Sequence, residues 1–198
     1  MIDRREAGRA LTGAWRLFLN KPDALQFFDT GVDGFWRSFE AILLVAPCYA
    51  VAALADRVAV IHSLPPDSFS DSVFWPAKAV SLCLDWVAFP ILVALLSGFI
   101  GIGRGYVPYI AIRNWAAVLM TLPFAAIAVL QMLGIGEDVL LLPSLAALVF
   151  SLRLTFLIAR RTLGVAADVA AALVALDWLV SIAIVLIIGQ ITGYPLTS

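Results

Sequence analysis

Five long apolar stretches dominate this chain: Ser38–His62, Val73–Gly98, Tyr109–Leu133, Val139–Ile158 and Ala166–Ile191. A bilayer's hydrocarbon core takes about 20 predominantly apolar residues per helix, and each stretch meets that length. The sequence therefore predicts an all-α, polytopic transmembrane bundle of five spans over residues 38–198, preceded by a separate segment, residues 1–37. With 63% hydrophobic and 14% charged residues, the chain departs in the same direction from soluble domains, which average about 45–50% apolar and about 25% charged.

The formal net charge of −1 hides a segregation of signs. Lys and Arg in short loops set the orientation of a membrane protein. Arg4, Arg5, Arg9, Arg16, Lys21 and Arg37 precede the first span. Arg104, with Arg113 just beyond it, follows the second span, and Arg160 and Arg161 follow the fourth. The alternate loops carry Asp56, Arg57, Asp67, Asp71 and Lys78, then Glu137 and Asp138, and the tail after the last span has no charged side chain. Five spans with a cytoplasmic N-terminus and an outside C-terminus satisfy this alternation, whereas four spans with one re-entrant stretch disrupt it. Residues 1–20 are too charged for a signal peptide's apolar core, so the first span is expected to act as the insertion signal. An Ala/Arg/Asp-rich composition without a glycosylation acceptor motif points to a bacterial inner membrane.

Within residues 1–37, Arg5, Arg9 and Arg16 share one helical face, and Leu11, Ala14, Trp15 and Phe18 lie on the other. Such a helix suits the membrane interface, with Arg5, Arg9, Trp15 and Arg16 as lipid-binding residues. It equally suits a cover over the end of the bundle. Asn20-Lys21-Pro22 is expected to end it, since proline disfavours a helical residue before it. Asp29–Gly34 reads as a polar turn.

Two spans share a pattern: Arg37-x-Phe39-x-Ala41-Ile42-Leu43-x-x-x-Pro47 aligns without gaps with Arg113-x-Trp115-x-Ala117-Val118-Leu119-x-x-x-Pro123. In both, arginine and an aromatic ring are expected at the cytoplasmic interface. A duplicated pair of spans would give this, as would chance recurrence of a common anchor. Pro47, Pro90, Pro123 and Pro143 fall inside four spans, where each removes a backbone donor and can kink its helix.

Ionisable side chains deep in a membrane are costly and call for a partner or a task. Asp85 and Asp177 are the deepest carboxylates, in the similar contexts Leu84-Asp85-Trp86-Val87 and Leu176-Asp177-Trp178-Leu179. Arg153 is expected to be the counter-ion of Asp177. Counted outward from the Arg160–Val165 turn, the two differ by about three residues, or about 4.5 Å of helix rise. Asp85 is then left to a backbone or tryptophan N–H, or serves as a proton-carrying or cation-coordinating group. Glu40, Asp56, Arg57, Lys78 and Asp168 lie near span ends and are expected to be interfacial.

One histidine and two cysteines leave no material for a metal cluster or disulfide framework, and Cys48 and Cys83 are expected to be buried as small apolar groups. Gly98-x-x-Gly101-x-Gly103-x-Gly105 follows a membrane helix rather than a buried strand, so it reads as a tight connection, not a phosphate loop. No nucleophile–base pair is present, and the basic residues lie at the membrane face. Catalysis, a cofactor and nucleic-acid binding are therefore not expected.

The region from Gly98 to about Gly189 resembles the bacterial branch of the Yip (Ypt-interacting protein) family of five-span membrane proteins. Gly98-Phe99-Ile100-Gly101, Leu122-Pro123, Ser151-Leu152-Arg153 and the final aliphatic span carry the resemblance, and Asn20-Lys21-Pro22 is similar to the family's Asn-Pro element with a lysine inserted. The resemblance implies five spans, a cytoplasmic N-terminus and a part in membrane organisation. The first functional expectation is thus a non-enzymatic accessory or organising component, whose partners are the lipid bilayer, other membrane proteins or copies of itself. The second is a small secondary transporter or channel-like protein using Asp85 and Asp177.

Overall fold

The structure is a computed structural model that describes residues 3–65 and 68–194. Asp67, counted above among the acidic loop residues, lies outside the described residues. Seven helices follow in order: α1 (Arg4–Phe18), α2 (Val32–Ser38), α3 (Ile42–Ser63), α4 (Asp71–Ile100), α5 (Tyr106–Met132), α6 (Glu137–Leu163) and α7 (Ala167–Thr192), with no strand among the described residues. A 3-10 turn, Phe39–Ala41, joins α2 to α3. Together they form one of five helical runs long and apolar enough to cross a membrane: Val32–Ser63, Asp71–Ile100, Gly103–Met132, Glu137–Leu163 and Ala167–Thr192. The first run begins at Val32, so the turn expected over Asp29–Gly34 is shorter, with helix already formed at Gly34.

At most 28% of the most apolar part of each run is buried inside the bundle. Leu43, Leu95, Phe99, Leu142, Leu186 and Ile191 point outward instead. Such an apolar exterior suits lipid, and the chain is an integral membrane protein. Cys83 belongs to this outer surface, contrary to the burial expected of it, and Cys48 is half-buried.

Helix α5 is the centre. It packs against α3, α6, α1 and α2, and more lightly against α4. Its residues from Tyr109 to Ala116 are all buried. At this end the small-residue face of α1 (Ala7, Ala10, Gly13, Ala14, Leu17) closes over the core. The helix therefore covers the end of the bundle, and Arg5, Arg9 and Trp15 stay exposed. Arg16 is turned back to Asp23 at 2.5 Å, with its guanidinium 5.3 Å from the Phe27 ring centre. The Arg16 guanidinium holds the Asp23 carboxyl below the usual carboxylate range. That pairing therefore favours the fold at neutral pH and fades on acidification.

Asn20, rather than Pro22, ends α1. Its φ of 56° is left-handed, and the Asn20 and Lys21 amides donate to the carbonyls of Leu17 (2.8 Å) and Arg16 (2.9 Å). This is the double hydrogen bond of a Schellman cap, in which asparagine is the usual substitute for glycine. Arg161 of α6 donates to Asn20 Oδ1 at 2.7 Å and to the Lys21 carbonyl at 3.2 Å, tying the elbow to the bundle. Gly101 plays the same capping role after α4, at φ 74°, with the Ile102 amide donating to the Ser97 carbonyl at 3.0 Å. The glycine-rich stretch is thus a helix cap and a short connection.

The opposite end is closed by a second apolar cluster, Val60, Phe74, Ala77, Ile188 and Tyr194. There Arg57 grips Asp71 with two bonds, at 2.7 and 2.8 Å, and the Tyr194 hydroxyl accepts from the Ser70 amide at 2.7 Å. The prolines do not break the spans: Pro47, Pro90, Pro123 and Pro143 all sit inside continuous helices.

Candidate functional site

A line of polar side chains runs through the interior, along the buried stripes of α4, α5 and α7. Its first link is Arg113 of α5, whose Nη2 donates to Asp177 Oδ1 at 2.5 Å and whose Nε donates to Oδ2 at 3.3 Å. The fork-on-carboxylate geometry is the one for which guanidinium is suited. Both side chains are nearly enclosed, 9% and 13% exposed. The guanidinium also lies 4.5 Å from the centre of the Phe89 ring, an added cation–π contact.

One turn along α7 from Asp177, Ser181 donates its hydroxyl hydrogen to Asp85 Oδ1 on α4. Asp85 lies near the middle of its helix and forms no ion pair among the described residues. The serine hydroxyl takes the place of the backbone or tryptophan donor expected from sequence, and Trp86 Nε1 itself is buried without a partner among the described residues. One and two turns before Asp85 on the same face of α4 come Ser81 and Lys78, both buried. Lys78 Nζ meets Asp56 of α3 at 2.5 Å. The seam therefore runs ion pair, single carboxyl, ion pair through the bundle interior. The Tyr109 hydroxyl and Asn114 Oδ1, in the same core, have no partner among the described residues, while Asn114 Nδ2 donates to Ser38 Oγ at 3.0 Å.

Three expectations from sequence are corrected here. Arg153 is not the partner of Asp177. The depth count was sound, but α6 buries Leu140, Ala147, Ser151, Leu154 and Ile158, and at 100° per residue this turns Arg153 outward. Its guanidinium rests 5.4 Å from the centre of the Phe18 ring of α1. Arg113 is not an interfacial anchor. Although Arg37 occupies the matching place in the repeated pattern, Arg37 is exposed and pairs with Glu6 at 2.9 Å and Asp29 at 2.5 Å. Lys78, near its span end, is not exposed there but enclosed by the bundle, being only 4% exposed. The signal available for Arg113 was its depth: helix α5 begins at Tyr106, so Arg113 stands about two turns inside it.

Two apolar grooves flank Arg153 on the outer surface. One, of about 600 Å³, lies between α6 and α7 and is lined by Val149, Leu152, Phe156, Val174 and Trp178. The other, of about 370 Å³, is lined by Phe18, Leu145, Ala146, Val149 and Phe150, and both include Arg153. Neither reaches Asp85 or Asp177. No protein-family model, curated protein or solved structure matches this chain.

Proposed function

We propose that this is a non-enzymatic protein of a bacterial inner membrane, N-terminus in the cytoplasm and C-terminus outside, that binds other membrane components through its outer surface. One observation carries the reading: the deep ion pairs are internally satisfied, whereas Arg5, Arg9 and Arg153 face outward without ion-pair partners among the described residues. Charges that bond one another inside a bundle hold helices together. Charges left on the outside are available to a partner, and an accessory role of this kind agrees with the resemblance to Yip proteins. The test is crosslinking of the tagged full chain in its native membrane, followed by capture in mild detergent and mass spectrometry. A stoichiometric membrane partner, lost on Arg5→Glu/Arg9→Glu substitution, is the expected result. A bare homo-oligomer, indifferent to that substitution, overturns it.

The second reading, a small proton or cation transporter, is favoured by Asp85. It is a carboxyl near mid-helix whose described partner is a single serine, between two ion pairs. On this reading the wild-type protein in vesicles dissipates an imposed pH gradient, and Asp85→Asn folds normally but abolishes that flux. Wild-type flux no greater than that of empty vesicles removes the reading.

A further inference from the structure

Arg153 is an anomaly on an otherwise apolar surface. It stands on the outward stripe of α6 with Leu142, Leu145 and Val149, all exposed. Among the described residues it makes no hydrogen bond or ion pair, only the contact with the Phe18 ring. A guanidinium in such a place needs a counter-charge, because apolar surroundings leave its donors unsatisfied. Arg160 and Arg161 do not share its situation. The first donates to the Val165 carbonyl at 2.5 Å and the second to the α1 elbow.

The surroundings specify the counter-charge. Arg153 lies about 10 Å of helix rise before Arg160, at the level where Phe18, the last residue of α1, packs on Phe150 with ring centres 4.6 Å apart. An arginine at this depth can bend its stem toward the interface and present its head there. On either side of it run the two grooves, almost wholly apolar and open outward. One cation between two apolar channels is complementary to one anionic head carrying two hydrocarbon chains.

We propose that Arg153 and its two grooves form a binding site for an anionic diacyl phospholipid. The phosphate accepts from the guanidinium, one acyl chain lies along Val149, Phe156 and Trp178, and the other along Leu145, Phe150 and Phe18. Guanidinium matches phosphate bidentately, which an ammonium does not. The site rests on the reading of the outer surface as the binding surface, and it concerns lipid alone. Its failure would leave partner capture by Arg5 and Arg9 untouched.

The test is native mass spectrometry of the purified full-length protein in detergent, titrated with phosphatidylglycerol or, separately, with phosphatidylcholine of the same chains. The wild type is expected to retain phosphatidylglycerol about tenfold more tightly than Arg153→Gln, the scale of a charge-assisted bond. Arg153→Lys should fall between them, Arg104→Gln, at an exposed arginine of the loop after α4, should match the wild type, and phosphatidylcholine should not distinguish any of these. Because Arg153 is on the surface, the melting temperature of lipid-free Arg153→Gln should equal that of the wild type. If that variant fails to fold, the intermediate loss in Arg153→Lys decides. Equal retention of phosphatidylglycerol by the wild type and the Arg153 variants overturns the site. Displacement of the lipid by millimolar inorganic phosphate would also overturn it, since the grooves would then contribute nothing.

Discussion

Replacing Arg113 by leucine is expected to cost the bundle about 3–5 kcal/mol, the scale for removing one partner of a buried ion pair. The penalty arises from what remains. Asp177, 13% exposed, is left in a site that has lost its guanidinium partner. Asp177→Leu should cost nearly as much, because it strands the guanidinium instead. The double substitution Arg113→Leu/Asp177→Leu should recover most of the loss, since apolar replacement of both partners in a buried pair is often neutral. Denaturant unfolding in micelles, followed by circular dichroism, measures all three. A loss of only about 1–2 kcal/mol in each single variant, near the upper range for hydrogen bonds between membrane helices, would mean that water or lipid headgroups reach the pair.

The second large effect is expected at Gly13, where α1 passes closest to the elbow that follows it. A Cβ here would lie 2.7 Å from Phe27 Cβ and 2.7 Å from Phe28 Cε2. Phe28 is 7% exposed, so its ring has little room to withdraw. Gly13→Val should therefore destabilise by about 1–3 kcal/mol, the usual cost of overpacking, and the strain should be released by undocking α1. Hydrogen exchange would show it as faster exchange over residues 4–18, with residues 109–116 still protected. Gly8 provides the control, because a Cβ there meets nothing within 4 Å. Gly8→Ala should gain about 0.5–1 kcal/mol, as expected for glycine in a helix interior. Identical exchange in the two variants would show that α1 is not held through Gly13.

The five spans were legible in the chain because the bilayer imposes a length and a composition that survive any packing arrangement. The N-terminal helix was legible from the spacing of Arg5, Arg9 and Arg16, and so was the need for Asp177 to find a cation. Which cation it finds was not. Arg153 and Arg113 are both arginines at workable depth, and one-dimensional counting ranks the nearer neighbour first. The choice between them depends on azimuth, which is set by the faces that α5, α6 and α7 turn toward one another.

Azimuth also divides the two copies of the Arg–aromatic pattern. At Arg37 the chain has only begun its first span beside α1, and the side chain meets Glu6 and Asp29. At Arg113 the same pattern stands in the helix against which α1, α2, α3 and α6 pack. Likewise Ser181 carries no mark in sequence as the donor to Asp85, since its role exists only because α4 and α7 lie side by side. The sequence by itself determined the membrane class, the number of spans and the presence of buried charges, because these follow from hydration energies that each segment carries alone. Which charges meet, and which arginine is left on the outer surface, was decided by the tertiary structure, because those outcomes depend on the relative rotation of helices.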